Sequence, residues 1–331
     1  MPVGTILVVD DEAQNLALMQ QILQPLYRLS FAKTGEGALK AVQKHNPSLI
    51  LLDVQLPDID GYEVCRRLKA QPKTSHIPVI FVSSHADMQH EAEGFEAGAA
   101  DYIVKPITPE IVKLRVANHL SLVRAASLER AYHDAIQMLG EAGHYNDTDT
   151  GEHIWRMAAY AKRLAQAVGL DERTCELIQL AAPMHDTGKI GIPDHILRKP
   201  AKLDADEWVV MKTHTQIGYE ILSRSDAPVF QMAAEIALNH HEKWDGSGYP
   251  AGLKGKQIPL SARIIAVADV YDALTMVRPY KTAWTNEQAF EHIVSERGKH
   301  FDPELVDCFT QLRTELEQIK VDYDEGAGID G

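Results

Sequence analysis

A chain of 331 residues that is 45% hydrophobic and 24% charged has room for two domains, each able to bury a core. Its net charge of -14 argues against a general basic surface for nucleic-acid polymers, so no DNA-binding role is expected. No run approaches the roughly 20 apolar residues that a membrane-inserted helix needs. Three cysteines, Cys65, Cys175 and Cys308, lie far apart and form no CxxC, and the start MPVGTILVVDDE lacks a basic, cleavable leader. A reducing, cytoplasmic setting fits these features. The acidity is uneven: residues 1–125 carry 12 basic against 14 acidic side chains, and residues 126–331 carry 21 against 33. An anionic substrate of the second half would therefore need metal ions and a few placed cations.

In chain order, TILVV, YRLSFA, SLILL, IPVIFV and DYIV read as five short strands alternating with amphipathic helices such as NLALMQQILQ and EVCRRLKA. That alternation predicts a doubly wound α/β domain with a parallel five-stranded sheet. After Pro109 there is neither Pro nor Gly until Gly140, which predicts one long connecting helix whose loose heptad leaves a homodimer open. From Glu152 onward the chain reads as an all-α bundle. Gly169 is expected to end the helix of EHIWRMAAYAKRLAQAV, and Asp204 with Glu207 to start the helix carrying His214. Ser261 is expected to cap the helix carrying Asp269. The expected division is 1–122, a helical linker 123–144, a second domain 145–320 and an acidic, disordered tail 321–331.

Two constellations carry chemistry. Asp10 and Asp11 follow the first strand, Asp53 ends the third, Ser83 the fourth and Lys105 the fifth. The carboxyl ends of parallel strands converge on one crevice, where three carboxylates repel each other unless a hard cation such as Mg²⁺ joins them. A carboxylate there can accept a phosphoryl group, with Lys105 and Ser83 stabilising the added oxygens. Residues 4–122 resemble the receiver domain of bacterial response regulators. The resemblance implies that Asp53 takes phosphate from a sensor histidine kinase, that Asp10, Asp11 and Asp53 hold Mg²⁺, and that Ser83, Tyr102 and Lys105 form the switch. Ser83-Ser84 stands where Thr-Ala or Ser-Ala is more usual.

The second constellation comprises His153, His185-Asp186, His214, His240-His241 and Asp269, separated by 32, 29, 26 and 28 residues. Such gaps let each ligand come from a different helix of a bundle. Imidazoles and carboxylates without a nearby cysteine suit catalytic Fe, Mn, Ni or Zn. Seven ligands exceed the needs of one metal, so two are expected, with Asp186 bridging, an arrangement suited to phosphodiester hydrolysis. The neighbouring His240 and His241 would point to different sides of a helix. His45, His76, His85, His90 and His119 show no pattern and are assigned to the surface. Lys189, Arg278 and Lys281 offer local positive charge.

The order H…HD…D, with HDTGKIGIPD, THTQIGYEIL, NHHEKWDGSGYP and HFDPELVDCF, resembles the HD-GYP subfamily of the HD phosphohydrolases. This likeness spans about residues 145–320. It implies hydrolysis of cyclic di-GMP to pGpG and often to GMP, substrate contacts from Lys189, Arg278 and Lys281, and a Gly248-Tyr249-Pro250 loop that meets diguanylate cyclases. Asp149 stands where a Glu supporting a third metal is common, which leaves that third metal open. Met276-Val277 replaces a polar pair before RPY, which leaves the choice between cyclic di-GMP and pGpG open. A catalytically weak scaffold remains the alternative from another class.

Overall fold

The computed structural model describes residues 4–84, 88–144, 151–276 and 283–324; of residues 88–91, 144 and 151–153 it describes the backbone alone. The chain divides into two compact units, Met1–Ala131 and Tyr132–Gly331.

The first unit runs β1 (Thr5–Val9), α1 (Ala13–Leu23), β2 (Arg28–Ala32), α2 (Gly35–His45), β3 (Leu49–Asp53), α3 (Gly61–Lys69), β4 (Val79–Ser83), α4 (Met88–Glu96), β5 (Asp101–Val104) and the start of α5 (Pro109–His144). All strands pair in parallel in the order β2-β1-β3-β4-β5. Residues alternate between faces along a strand, so continuous runs such as LILLD bury both faces at once. Leu7, Ile50, Leu52 and Phe81 pack on one side with α2 and α3, and Ile6, Leu49, Leu51 and Ile80 pack on the other with α1 and α5. This is the doubly wound sheet expected from the alternation.

The second unit takes in the end of α5, then α6 (Gly151–Ala167), α7 (Glu172–Ala181), α8 (Asp194–Leu197), α9 (Ala205–Lys212), α10 (His214–Leu222), α11 (Pro228–Asn239), α12 (Leu260–Thr275), α13 (Asn286–Ser295), α14 (Pro303–Gln311) and α15 (Arg313–Asp324). Two 3₁₀ turns, Ala182–Met184 and Thr187–Gly191, join α7 to α8. One apolar core gathers α6, α7, α11, α12 and α14. No helix among the described residues is long and apolar enough to cross a membrane.

Several local expectations change. The capping box of Asp204 and Glu207 is present, but the helix it starts ends at Lys212, and His214 opens α10 instead. Ser261 caps nothing: α12 starts at Leu260 behind Pro259, and the Ser261 hydroxyl donates to Glu235 Oε1. The tail expected from 321 is helical through Asp324, and residues 325–331 lie outside the described residues. His119 is no bare surface residue, because its ring lies 3.0 Å from the Asp101 carboxylate. Gly169, at φ 84°, follows α6 as expected.

Candidate functional sites: a carboxylate crevice and a histidine cluster

In the first unit, strand length decides what reaches the crevice. β1 stops at Val9, so Asp10 and Asp11 emerge beyond the sheet; β3 and β4 end on Asp53 and Ser83, and β5 releases Lys105 one residue after Val104. One oxygen from each of Asp10, Asp11 and Asp53 lies within 4.8 Å of the others. Lys105 Nζ donates to Asp53 Oδ2 at 2.6 Å and Asp10 Oδ2 at 3.0 Å. Burial pushes the Asp53 carboxyl above its ordinary range, against the pull of Lys105. Burial works against the Lys105 charge, but its hydrogen bonds to the two carboxylates lift its pKa. Asp10 is aimed by Glu12 N–H at 2.9 Å and Asn15 Nδ2 at 3.0 Å. Ser83 and Tyr102 are both buried. Asn15 was missed by sequence reasoning; its signal was only its place in the first turn of α1.

In the second unit, five of the seven expected ligands come together. Asp186, between the two 3₁₀ turns, is the hub. Its Oδ2 lies 3.1 Å from His185 Nε2 and 2.8 Å from Lys189 Nζ. Its Oδ1 lies 3.4 Å from His214 Nε2 and 3.7 Å from His240 Nε2. Asp186, His214, His240 and His241 each offer an atom within 4.8 Å of the others. His240 and His241 do not point apart, as a mid-helix pair would. They stand where α11 ends, and their rings are 4.0 Å apart. Asp269, half-buried on α12, stays outside the four-residue group, although its charge reaches His185 and Tyr249. His153 lies on α6, where only the backbone is described; Asp149, Arg278 and Lys281 lie outside the described residues.

The backbone sets the rings. His185 Nδ1 meets Ala182 O at 2.9 Å, His214 Nδ1 meets Met211 O at 2.7 Å, and His240 Nδ1 meets Ala237 O at 3.0 Å. Each Nδ1 donates to its carbonyl, which turns Nε2 toward the cluster; in a neutral ring that nitrogen carries the lone pair a metal ligand requires. Burial holds His214 down at about 4 and His241 well below its usual range, so both are neutral near pH 7. Burial opposes the charge of Asp186, but Lys189 and His185 keep it ionised well below the usual carboxylate range. Burial likewise disfavours charge on His185, yet Asp186 raises it to about 9. Asp186 Oδ1, His214 Nε2 and His240 Nε2 are buried without a hydrogen-bond partner. Buried polar atoms are nearly always satisfied, so three orphans converging on one point fit a divalent cation.

Close approach of backbones assembles this cluster. A Cβ on Gly188 would stand 1.8 Å from His214 O, so only glycine lets the segment after His185-Asp186 lie against α10. On the other side, Gly140 and Gly143 of α5 lie against Pro183 and Thr187. Glu242, 2% exposed, accepts Ala251 N–H at 2.8 Å and Leu253 N–H at 3.0 Å and pins the loop that carries Gly248, Tyr249 and Pro250. The Tyr249 ring packs 4.8 Å from His241, with Lys212 Nζ 5.3 Å from its centroid. Sequence reasoning passed over Glu242, although it directly follows the histidine pair.

Comparison with known proteins covers both units. Residues 6–117 match the response regulator receiver domain and residues 114–305 match the HD domain. The chain is 40% identical to the cyclic di-GMP phosphodiesterase response regulator RpfG of Xanthomonas campestris pv. campestris, over 95% of this chain and 89% of that protein. It is 38% identical to a cyclic di-GMP phosphodiesterase of Thermotoga maritima, over 95% and 92%. A 3'3'-cGAMP-specific phosphodiesterase of Vibrio cholerae is 49% identical over 60% of this chain and 37% of that protein. A carboxylate crevice on a parallel sheet, a histidine cluster around one buried aspartate and full-length relatives of the same two-part plan place the chain in the HD-GYP response regulators, a receiver domain joined to a metal-dependent phosphohydrolase.

Proposed function

We propose that this protein hydrolyses cyclic di-GMP to pGpG, and onward to GMP, under control of phosphorylation at Asp53 by a sensor histidine kinase. The observation that carries the hydrolytic reading is the ionised, buried Asp186 with an orphaned oxygen facing orphaned imidazole nitrogens. His153, His185, Asp186, His214, His240, His241 and Asp269 would hold two divalent cations such as Fe, Mn, Ni or Zn, and Asp149 is the residue for a third. Bound there, the cations supply Lewis acidity for phosphodiester hydrolysis at neutral pH.

The remaining work belongs to side chains. Asp186 stays ionised across the physiological range, so its oxygens remain acceptors throughout a turnover. Backbone carbonyls hold the imidazoles in one tautomer and cost no reorganisation during the reaction. Lys189 brings an ammonium to the cluster of an otherwise acidic domain and binds a phosphate oxygen; Arg278 and Lys281 are assigned the same task on the other side of the substrate. In the receiver, Asp10, Asp11 and Asp53 would hold Mg²⁺, with Lys105 balancing the phosphoryl charge and Ser83 and Tyr102 responding to it. The coupling runs through α5. Leu114 and Leu128, 70% and 62% exposed on that helix, favour a homodimer. The Gly248-Tyr249-Pro250 loop is the surface assigned to diguanylate cyclases, and the cytoplasm is the assigned compartment.

The 49% identity to a 3'3'-cGAMP-specific enzyme supports a second reading in which the bases differ and the reaction is the same. Chromatography of products separates the two. Protein loaded with Mn²⁺, Fe²⁺ or Ni²⁺ is given cyclic di-GMP, pGpG or 3'3'-cGAMP beside an Asp186→Ala control. Metal- and Asp186-dependent loss of cyclic di-GMP is expected. Turnover of 3'3'-cGAMP alone selects the second reading, and no turnover of any of the three overturns both.

A further inference from the structure

Arg156 and Asp272 form the most deeply buried arginine–carboxylate pair among the described residues, 5% and 0% exposed. Arg156 Nε donates to Asp272 Oδ1 at 2.6 Å and its terminal nitrogen to Asp272 Oδ2 at 3.0 Å, a two-pronged bond between α6 and α12. Both residues sit on helices of the apolar core that holds Met157, Ala161, Ala268 and Tyr271, and the rings of Tyr160 and Tyr271 meet edge to face at 5.2 Å. A charge pair in such a place is a poor device for stability, because apolar residues of similar size usually serve as well or better. It is a good device for geometry. The planar guanidinium accepts one orientation of the carboxylate and so fixes both rotation and register of the helices that carry it.

Its position in the sequence says what that register serves. Arg156 lies three residues after His153 on α6, and Asp272 lies three residues after Asp269 on α12. Residues three apart share a helix face. A slip of one residue turns a helix by about 100° and would carry either position off the face it shares with the pair. We propose that Arg156 and Asp272 are positioning residues for the metal centre, a clamp that holds residues 153 and 269, on two helices far apart in sequence, at the site around Asp186. The proposal rests on the reading of His153 and Asp269 as ligands.

The test uses the full chain, freed of metal by chelation and titrated with Mn²⁺ while free Mn²⁺ is read by paramagnetic resonance. Thermal unfolding of the metal-free protein is followed by tryptophan fluorescence. The charge-free pair Arg156→Met with Asp272→Leu is expected to unfold at or above the wild-type temperature. It should nevertheless bind Mn²⁺ about 10- to 100-fold more weakly, the loss typical when the support of a ligand is removed. Arg156→Lys, which keeps the charge and loses the fork, should fall between. A charge-free pair with wild-type affinity would show that the two residues only fill space. Should that variant not fold, Arg156→Lys decides by the same criterion. Asp269→Asn is the control: if it binds Mn²⁺ as wild type does, the ligand reading fails and takes the clamp with it.

Discussion

Replacement of Glu242 by alanine is expected to cost the second unit about 3 kcal/mol. Each of its two bonds, to Ala251 N–H at 2.8 Å and Leu253 N–H at 3.0 Å, joins a buried carboxylate to the backbone. A hydrogen bond to a charged group contributes about 1.5 to 3 kcal/mol net. The lower end applies to both, because the loop around the exposed Ala251 lets the released N–H groups find water. Glu242→Gln retains one acceptor and should lose about half as much, about 1.5 kcal/mol. Urea unfolding followed by tryptophan emission isolates the effect, since Trp155, Trp208, Trp244 and Trp284 all lie in the second unit. With a urea slope of about 3 kcal/mol/M, the alanine midpoint should fall by about 1 M and the glutamine midpoint by about half that. An alanine variant within about 0.5 kcal/mol of wild type, the range of a neutral surface change, would refute the idea that this carboxylate pins the loop.

Three further outcomes follow from named contacts. Asp58 accepts Glu36 N–H and Gly35 N–H at the start of α2, chiefly the first, and is held down at about 2, so carbon-detected NMR should find its midpoint there and not near 4. A folded pKa below the unfolded one stabilises fully above about pH 4 and loses that contribution as pH falls through 2; Asp58→Asn should flatten the acid-side decline in that window, and an unchanged decline counts against the contact. Gly188→Ala drives a Cβ toward His214 O, a backbone atom that cannot swing aside, and should destabilise the second unit by more than about 3 kcal/mol in the same urea assay. Mn²⁺ at a hundred times its dissociation constant should raise the tryptophan-reported stability by about 2.7 kcal/mol; an unchanged transition would count against a cation at the histidine cluster.

The receiver was legible because its signal is local. Each strand is a short apolar run, and Asp10, Asp11, Asp53, Ser83 and Lys105 need only stand at strand ends for the fold to gather them. The histidine set was legible by spacing, but its assembly was not. His240 and His241 converge because α11 stops at Asn239, just before them, and His214 heads a helix because α9 breaks at Thr213, events decided by packing beyond any short window. Glu242, Arg156 and Asp272 were passed over for a related reason. A lone charged residue reads as solvent-facing, and only the tertiary fold reveals that its partner lies nine residues away for Glu242 or 116 for Arg156.

The seat of α5 has a consequence of its own. Its last turns rest through Gly140 and Gly143 on Pro183 and on the Thr187 backbone, with hypothetical Cβ contacts at 2.8 and 2.9 Å. Only a hydrogen fits at either point. Rolling the helix by one residue, about 100°, would bring Glu141 or Ala142 toward a gap that holds no side chain. The helix therefore cannot drift by degrees along this bed; it rests in its notch or lifts out of it. Close-packed contacts behave as detents of this kind. A detent beside His185 and Asp186 turns any torque carried by α5 into a step, so the hydrolytic site would answer its receiver in two settings and not on a sliding scale.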